Sequence, residues 1–326
     1  MNLIINPFHD PAFNLALEEH LLTATTLELI MLWRNSKAVI IGNNQNAVEE
    51  IDADYVREHG IAVVRRQSGG GAVFHDLGNI NFTVIHANTA GSFGGYEMFT
   101  APVCNYLQTL GVDARFSGRN DLVIDGQKFC GNAQAVKKGR IMHHGCILFD
   151  ADFTDLAGAL RPKAEKVESK GIKSVRSRVT NVSAHLKEAM SPENFLSGLA
   201  DYFRANVKDI AEYELTPEDI SAARALADEK YSRWDWNFGK SPPYNWENSR
   251  QFSFGSVDIK LNVNAGVIED VNFFGDFFGV HSKSELEQRL RGIRHERSAI
   301  EEALKDLDIA RYIHGMTHRE LLELLY

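Results

Sequence analysis

Three consecutive glycines, Gly69, Gly70 and Gly71, follow two arginines, Arg65 and Arg66, in the stretch Arg65-Arg66-Gln67-Ser68-Gly69-Gly70-Gly71. Without a Cβ, such a backbone brings its N–H groups close to an anion, and the arginines supply positive charge beside it. A phosphate is the natural guest. A mobile turn has the same composition, and spacing alone does not separate the two readings. The loop is no Walker sequence, since no Gly-Lys-Ser/Thr follows. Nor is it the dinucleotide fingerprint, because the next segment reads as strand rather than helix.

Further along, Lys128 follows an Asp125-Gly126 turn, and Asn120-Asp121 precedes it. A lysine there is a compact mobile cation suited to a shifting negative charge, or a solvated residue after a turn. Asp121, ahead of Asp76, is the candidate oxygen ligand for a magnesium ion bound to phosphates, which needs only one or two protein carboxylates; the same Asn-Asp pair also shapes turns. His75, His143 and His144 could remove a proton from an attacking amine, or simply hydrogen-bond in a cleft wall, which is the blander alternative. Trp33, Val73 and Phe74 could wall an apolar tunnel or belong to ordinary core. Cys130 could be a nucleophile or a buried strand cysteine. Arg161, Lys163, Lys166, Lys170, Lys173, Arg176 and Arg178 form a basic segment, fit either to steer an acidic partner or to be a solvated loop.

The elements that must hold these residues follow from periodicity. Phe13, Ala16, Leu17, His20 and Leu21 recur at helical spacing, so residues 11–24 should form a helix. Residues 27–33 and 38–41 read as a hairpin turning at 34–36, residues 52–59 as a short helix, and 61–64 as a strand entering the glycine loop. Then come a strand at 81–85, a helix at 97–110, a hairpin over 122–130, and a strand at 141–149. Ser191 caps a helix with Pro192 at its first position, running to about residue 206. The Pro-rich stretch 239–248 suits neither a helix nor a central strand, and marks a boundary between residues 1–243 and 244–326. Beyond it the pattern is strand, strand, helix, helix.

The whole chain bounds what these residues can do. It has 326 residues, 44% hydrophobic and 24% charged, with a net charge of -9, which argues against a nucleic-acid partner. Three unpatterned cysteines predict neither disulfides nor a zinc site and fit a reducing, cytoplasmic setting. No run approaches a membrane span.

The stretch from Arg65 through Asn79, with Asn81-Phe82-Thr83, resembles the signature of the lipoate-protein ligase family. So do Gly118-Arg119-Asn120-Asp121-Leu122, Lys128 with Gly131-Asn132-Ala133, His143-His144-Gly145, Gly171-Ile172 with residues 174–181, and Trp236-Asn237-Phe238-Gly239. These motifs stand in the right order over most of the large domain. The resemblance implies an α+β fold: a large mixed, mainly antiparallel sheet domain of the biotin/lipoate ligase type, plus a small α+β C-terminal accessory domain. It implies ATP-dependent activation of lipoate or octanoate as the acyl-adenylate, then transfer to a lysine of a carrier.

Arg66 and the backbone of Gly71, Ala72, Val73 and Phe74 would hold ATP. Lys128 would touch both phosphate and acyl carboxylate. Ser68, Gly69, Gly70, His75 and His144 would contact lipoate, and Mg2+ would sit at Asp121. The implied carriers are lipoyl domains of 2-oxoacid dehydrogenase E2 subunits and the glycine-cleavage H protein, and the expected state is a monomer. A cysteine-dependent octanoyl or lipoyl transferase, and a non-catalytic lipoate- or nucleotide-binding relative, are the alternatives. At Phe129-Cys130 many relatives carry a small hydroxyl residue in place of the cysteine, which leaves the local pocket chemistry open.

Overall fold

The protein is described by a computed structural model covering residues 1–160, 178–238 and 244–326. The basic segment, apart from Arg178, and residues 239–243 of the Pro-rich stretch lie outside the described residues. Fourteen strands are seen among the described residues: β1 Asn2–Ile5, β2 Leu29–Trp33, β3 Ala38–Ile41, β4 Ala62–Arg65, β5 Val73–His75, β6 Asn79–Ala87, β7 Ala114–Ser117, β8 Asp121–Ile124, β9 Gln127–Lys137, β10 Arg140–Leu148, β11 Ala211–Glu212, β12 Trp246–Phe252, β13 Gly255–Asn264 and β14 Val267–Gly275. Eight form one mixed sheet in the order β11-β1-β2-β6-β10-β9-β8-β7. Only the β11-β1-β2 end is parallel.

The helix Pro11–Thr23 starts where periodicity placed it, with Asp10 accepting the Phe13 N–H and Pro11 at the first position. It is buried along most of its length against one sheet face, with Leu15, Leu17, Met31 and Ile85 in a common core. The helices Tyr96–Thr109 and Pro192–Asn206 bring Val103, Leu107, Phe195 and Leu199 into a second core with Phe82 and Phe129.

Two expectations fail. Residues 27–41 are not a hairpin: β2 pairs with β1 and β6, whereas β3 pairs with β4 and β5 in a separate three-stranded sheet. Both strands are buried and each is paired along both edges, whereas a two-stranded hairpin would leave one edge of each with buried, unpaired backbone groups. The C-terminal part has a third strand, β12, and four helices rather than two, at Lys283–Leu290, Arg297–Leu304, Ile309–Tyr312 and His318–Leu325. β12 is a largely exposed edge strand whose sequence, WENSRQF, has no apolar alternation to announce it.

Candidate active site

A cleft of about 300 Å³ opens over the cleft face of the large sheet, between it and the β3-β4-β5 sheet. Its floor is one register row across five strands. Asp121 on β8 pairs with Gly131 on β9, Gly131 with Cys146 on β10, Cys146 with Asn81 on β6, and Asn81 with Trp33 on β2. In-register residues point to the same face, and all five line the cleft. At four strand spacings the row is about 19 Å long. It runs from a charged rim, where the Asp121 side chain is 37% exposed, to Trp33, which is 2% exposed.

Lys128 reaches this row through a β-bulge. Leu122 faces Cys130 and Val123 faces Lys128, leaving Phe129 without a partner on β8. Strict alternation would put Lys128 on the face of Cys130 and Asn132. The extra residue shifts the phase, sends Phe129 and Cys130 into the core, and turns Lys128 toward the cleft. The Lys128 ammonium then sits 2.8 Å from Asp121 Oδ1. A Cβ on Gly131 would lie 2.9 Å from Lys128 Nζ, so the glycine leaves the stem room to cross the strand.

The glycine loop is shaped from beneath by a buried guanidinium. Arg66 donates from Nη2 to the carbonyls of Gly69 (2.7 Å) and Gly71 (2.8 Å), from Nη1 to Ile40 O, and from Nε to Ser68 Oγ. A trans peptide sets N–H opposite C=O, so holding the Gly71 carbonyl on Arg66 turns the Ala72 N–H away from the guanidinium. Arg66 thus fixes the loop's backbone while lining the same cleft. Arg65 does the same one residue earlier, donating to the carbonyls of Gly42, Gln45, Trp236 and Asn237. Burial lowers both guanidinium pKa values to about 10.

Gly69 and Gly70 are required by close approach. A Cβ on Gly69 would lie 2.3 Å from Phe277 O, and Gly70 has φ +88°. Gly71 has nothing within 4 Å of that position, which leaves space for a guest.

A hydrogen-bonded relay stiffens the inner wall. Trp33 Nε1 donates to Thr83 Oγ1, Thr83 to Glu18 Oε1, Glu18 faces His144 Nδ1 at 3.0 Å, and His144 Nε2 meets Ser68 Oγ at 2.6 Å. Glu18, 1% exposed, went unnoticed in the sequence; its signal was a carboxylate on the apolar stripe with Asn14, Leu15 and Leu22.

Of the predicted site residues, Arg66, Gly70, Gly71, Ala72, Val73, His75, Asp121, Lys128 and His144 line the cleft, as does Trp33. Ser68 and Gly69 lie just behind the lining. The Phe74 side chain does not face the cleft: β5 alternates, so Val73 and His75 point in while Phe74 packs with Val39 and Ile41. His143 likewise faces away from its neighbour His144, stacked on Phe99 at 4.6 Å, and burial holds its pKa well below the usual value. Asp76 is fully engaged by the backbone N–H groups of Gly78 and Asp152.

Cys130 is fully buried in the core, its thiol pushed well up by burial. The cleft-facing thiol is Cys146, also raised by burial, to about 12, with the Asn79 amide as hydrogen-bond donor. Neither has the depressed pKa of a catalytic thiolate. The C-terminal part reaches the cleft through Asp276, while Arg119 bonds Phe254 O and stacks over Phe278 at 4.7 Å.

Among the described residues no cluster of three metal-ligating side chains occurs, and no helix is long and apolar enough to cross a membrane.

A glycine loop braced by a buried arginine and a part-exposed lysine line one cleft, an arrangement suited to an anionic ligand. The family described as "Lipoyl protein ligase A/B catalytic domain" matches residues 10–204, and that described as "Bacterial lipoate protein ligase C-terminus" matches residues 241–325. Lipoate-protein ligase LplJ of Bacillus subtilis is 45% identical over 98% of this chain and 97% of its own length. Lipoate–protein ligase 1 of Staphylococcus aureus is 39% identical, covering 98% of each.

Among solved structures, Plasmodium falciparum LipL1 in complex with lipoate superposes with a TM-score of 0.78 at 25% identity, over 99% of this chain and 97% of that one. A bipartite lipoate protein ligase from Thermoplasma acidophilum, described together with its E2 lipoyl domain, gives 0.66 at 32% identity over 74% and 97%. Lipoate-protein ligase A bound with ATP gives 0.64 at 29% identity over 73% and 99%. The chain belongs to the lipoate-protein ligase family and is a ligase of that class.

Proposed function

We propose that the cleft binds lipoate, or octanoate, together with ATP, joins them as the acyl-adenylate with loss of pyrophosphate, and passes the acyl group to a carrier lysine. The observation that carries this reading is the placement of Lys128 at the exposed end of a row whose other end, at Trp33, is buried. Support for ATP comes from the ATP-bound relative, and support for a lipoyl-domain carrier from the archaeal ligase and its E2 lipoyl domain.

A carboxylate and a triphosphate repel, so adenylation requires positive groups where they meet and a geometry that places the carboxylate oxygen near the α-phosphorus. The ammonium of Lys128 bridges the acyl carboxylate and the phosphate, and follows charge as the carboxylate becomes a carbonyl and pyrophosphate departs. The Gly71–Phe74 backbone, aimed by Arg66, takes phosphate oxygens. Ser68, Gly69, Gly70, His75 and His144 line or back the acyl chamber.

Asp121 is the counter-ion of Lys128, and with nucleotide bound its carboxylate would be the group to hold Mg2+. One carboxylate suits a magnesium ion that keeps phosphate and water as its other ligands, and that ion would neutralise the phosphates. In the second half-reaction the carrier amine loses a proton and attacks the adenylate carbonyl, AMP leaves, and exclusion of water protects the mixed anhydride. The carriers are lipoyl domains of 2-oxoacid dehydrogenase E2 subunits or the glycine-cleavage H protein. The working unit is a monomer, and residues 1–243 and 244–326 are its two domains.

Mass spectrometry of a purified lipoyl domain, incubated with this protein, lipoate and Mg-ATP, tests the reading. One added lipoyl mass that requires ATP is the expected result. No addition on any of several carriers, with or without ATP, overturns it.

A further inference from the structure

Two side chains in the cleft have polar atoms that are buried and unpaired. Asn81, 1% exposed, leaves both Oδ1 and Nδ2 without a partner, and His75, 4% exposed, leaves Nε2 without one. Both line the cleft, and among the described residues none of the other unpaired buried side chains does so. Native structures rarely leave such atoms bare, and those that do have a water, an ion or a ligand to supply the partner.

The proton on His75 is fixed by its neighbours. Backbone carbonyls of Phe8 and Arg34 accept from Asn14 Nδ2, which sets that amide's orientation. Asn35 Oδ1, at 2.8 Å, shares the two hydrogens of that Nδ2 with those carbonyls, because Asn35 Nδ2 there would set donor against donor; Asn35 Nδ2 is therefore the atom facing His75 Nδ1, at 3.1 Å. His75 Nδ1 is therefore an acceptor, and the proton sits on Nε2, the unpaired atom. Burial, with Arg66 and His144 nearby, pushes the His75 pKa down to about 3, so this donor is neutral at any working pH. It is a neutral, unpaired N–H on a residue that lines the cleft.

Position says which part of the ligand. Asn81 lies two strands from Gly131, over which Lys128 crosses, a separation of about 10 Å. A carboxylate at Lys128 therefore puts the far end of a medium-length acyl chain beside Asn81. His75 is at the same end, its ring 6.1 Å from that of Trp33, which pairs with Asn81 across the strands.

We propose that His75 Nε2–H and the Asn81 Nδ2–H recognise the sulfur-bearing end of the acyl substrate, and so select lipoate over octanoate. This rests on the ligase reading above. Octanoate ends in a methyl, which would leave both donors dry and unpaired. The dithiolane offers two polarizable sulfurs, weak acceptors that also pack well against the Trp33 ring. A site that hydrogen-bonds its substrate penalises an analogue lacking the acceptor more strongly than one that only measures shape.

The test is kcat/KM for carboxylate-dependent pyrophosphate release by the full chain, with lipoate, octanoate and 5-cyclopentylpentanoate, the last supplying the ring without sulfur. The wild type should favour lipoate over both others by about tenfold. Asn81→Leu and His75→Phe should each lower the lipoate-to-octanoate ratio severalfold, and the wild-type ratio should not change between pH 6 and 8.5. Because each ratio is taken on one preparation, partial loss of folded protein cancels. A cyclopentyl substrate as good as lipoate would overturn the proposal whether or not the variants fold, and so would ratios unchanged in both variants. Release with none of the three acids would instead sink the ligase reading itself.

Discussion

The two cationic centres of the cleft are built in opposite ways. Arg66 is buried, and its donors are committed to the carbonyls of Ile40, Gly69 and Gly71 and to Ser68; Lys128 is about one-third exposed, and its ammonium has a single carboxylate beside it. One charge is part of the architecture and the other is free to change partners. The glycine loop is therefore braced by the protein's own hydrogen bonds, and on the proposed reading the moving charge of the reaction falls to Lys128. The cost of burial at Arg66 is visible in its lowered pKa.

Several experiments would break or sharpen that contrast. Lys128→Ala should lower the adenylation rate by roughly 10³-fold while leaving the urea midpoint near wild type, because a partly exposed ammonium stabilises charge and supports no packing. Single-turnover kinetics and denaturation on the same sample check both halves. Arg66→Met should show the reverse emphasis: a loss of about 2–4 kcal/mol in chemical denaturation, since two buried carbonyls and one half-buried carbonyl lose their donor, with activity falling as the loop loosens. A Lys128→Ala that unfolds, or an Arg66→Met that stays fully stable, would erase the distinction.

Asp121→Asn should act on the mobile centre alone, raising the Mg-ATP requirement by about tenfold in a magnesium titration while the fold stays intact. Burial of His143 extends the contrast to pH. His143 is held neutral in the native state with its pKa well below the usual value, while the unfolded chain protonates it near pH 6.5. Unfolding thus takes up protons below that pH, and stability present above about 6.5 is lost as pH falls. His143→Gln should flatten this decline in urea midpoints between pH 7 and 5 and change activity less than threefold. The smallest effect belongs to Cys130→Ala, expected to keep activity within about threefold. Its complete inactivation with folding preserved would revive a thioester route.

The helix at 11–23, the 122–130 hairpin, the strand at 141–149 and the Ser191 cap were legible in the sequence because local periodicity and capping chemistry decide them. The glycine loop and Lys128 were legible as chemistry, with the lysine as the cation suited to a shifting charge, although the commitment of Arg66 to backbone carbonyls was not. What sequence could not supply is set by pairing over distance. The 27–41 segment divides between two sheets because β6, 50 residues on, pairs with β2. Lys128 enters the cleft only through the bulge at Phe129, which alternation argues against. The Phe74 side chain and His143 stood inside motifs, yet strand alternation turns both away. Asn81, Cys146 and Glu18 became site residues only when five strands were laid in register and a helix was packed across them.

Lipoate-dependent exchange of labelled pyrophosphate into ATP tests the central claim most directly, because it reports adenylation without a carrier. The wild type and a Cys130→Ala/Cys146→Ala variant should both support exchange, and folded Lys128→Ala should support none above background. Undiminished exchange in Lys128→Ala would contradict the assignment of the moving charge to that lysine.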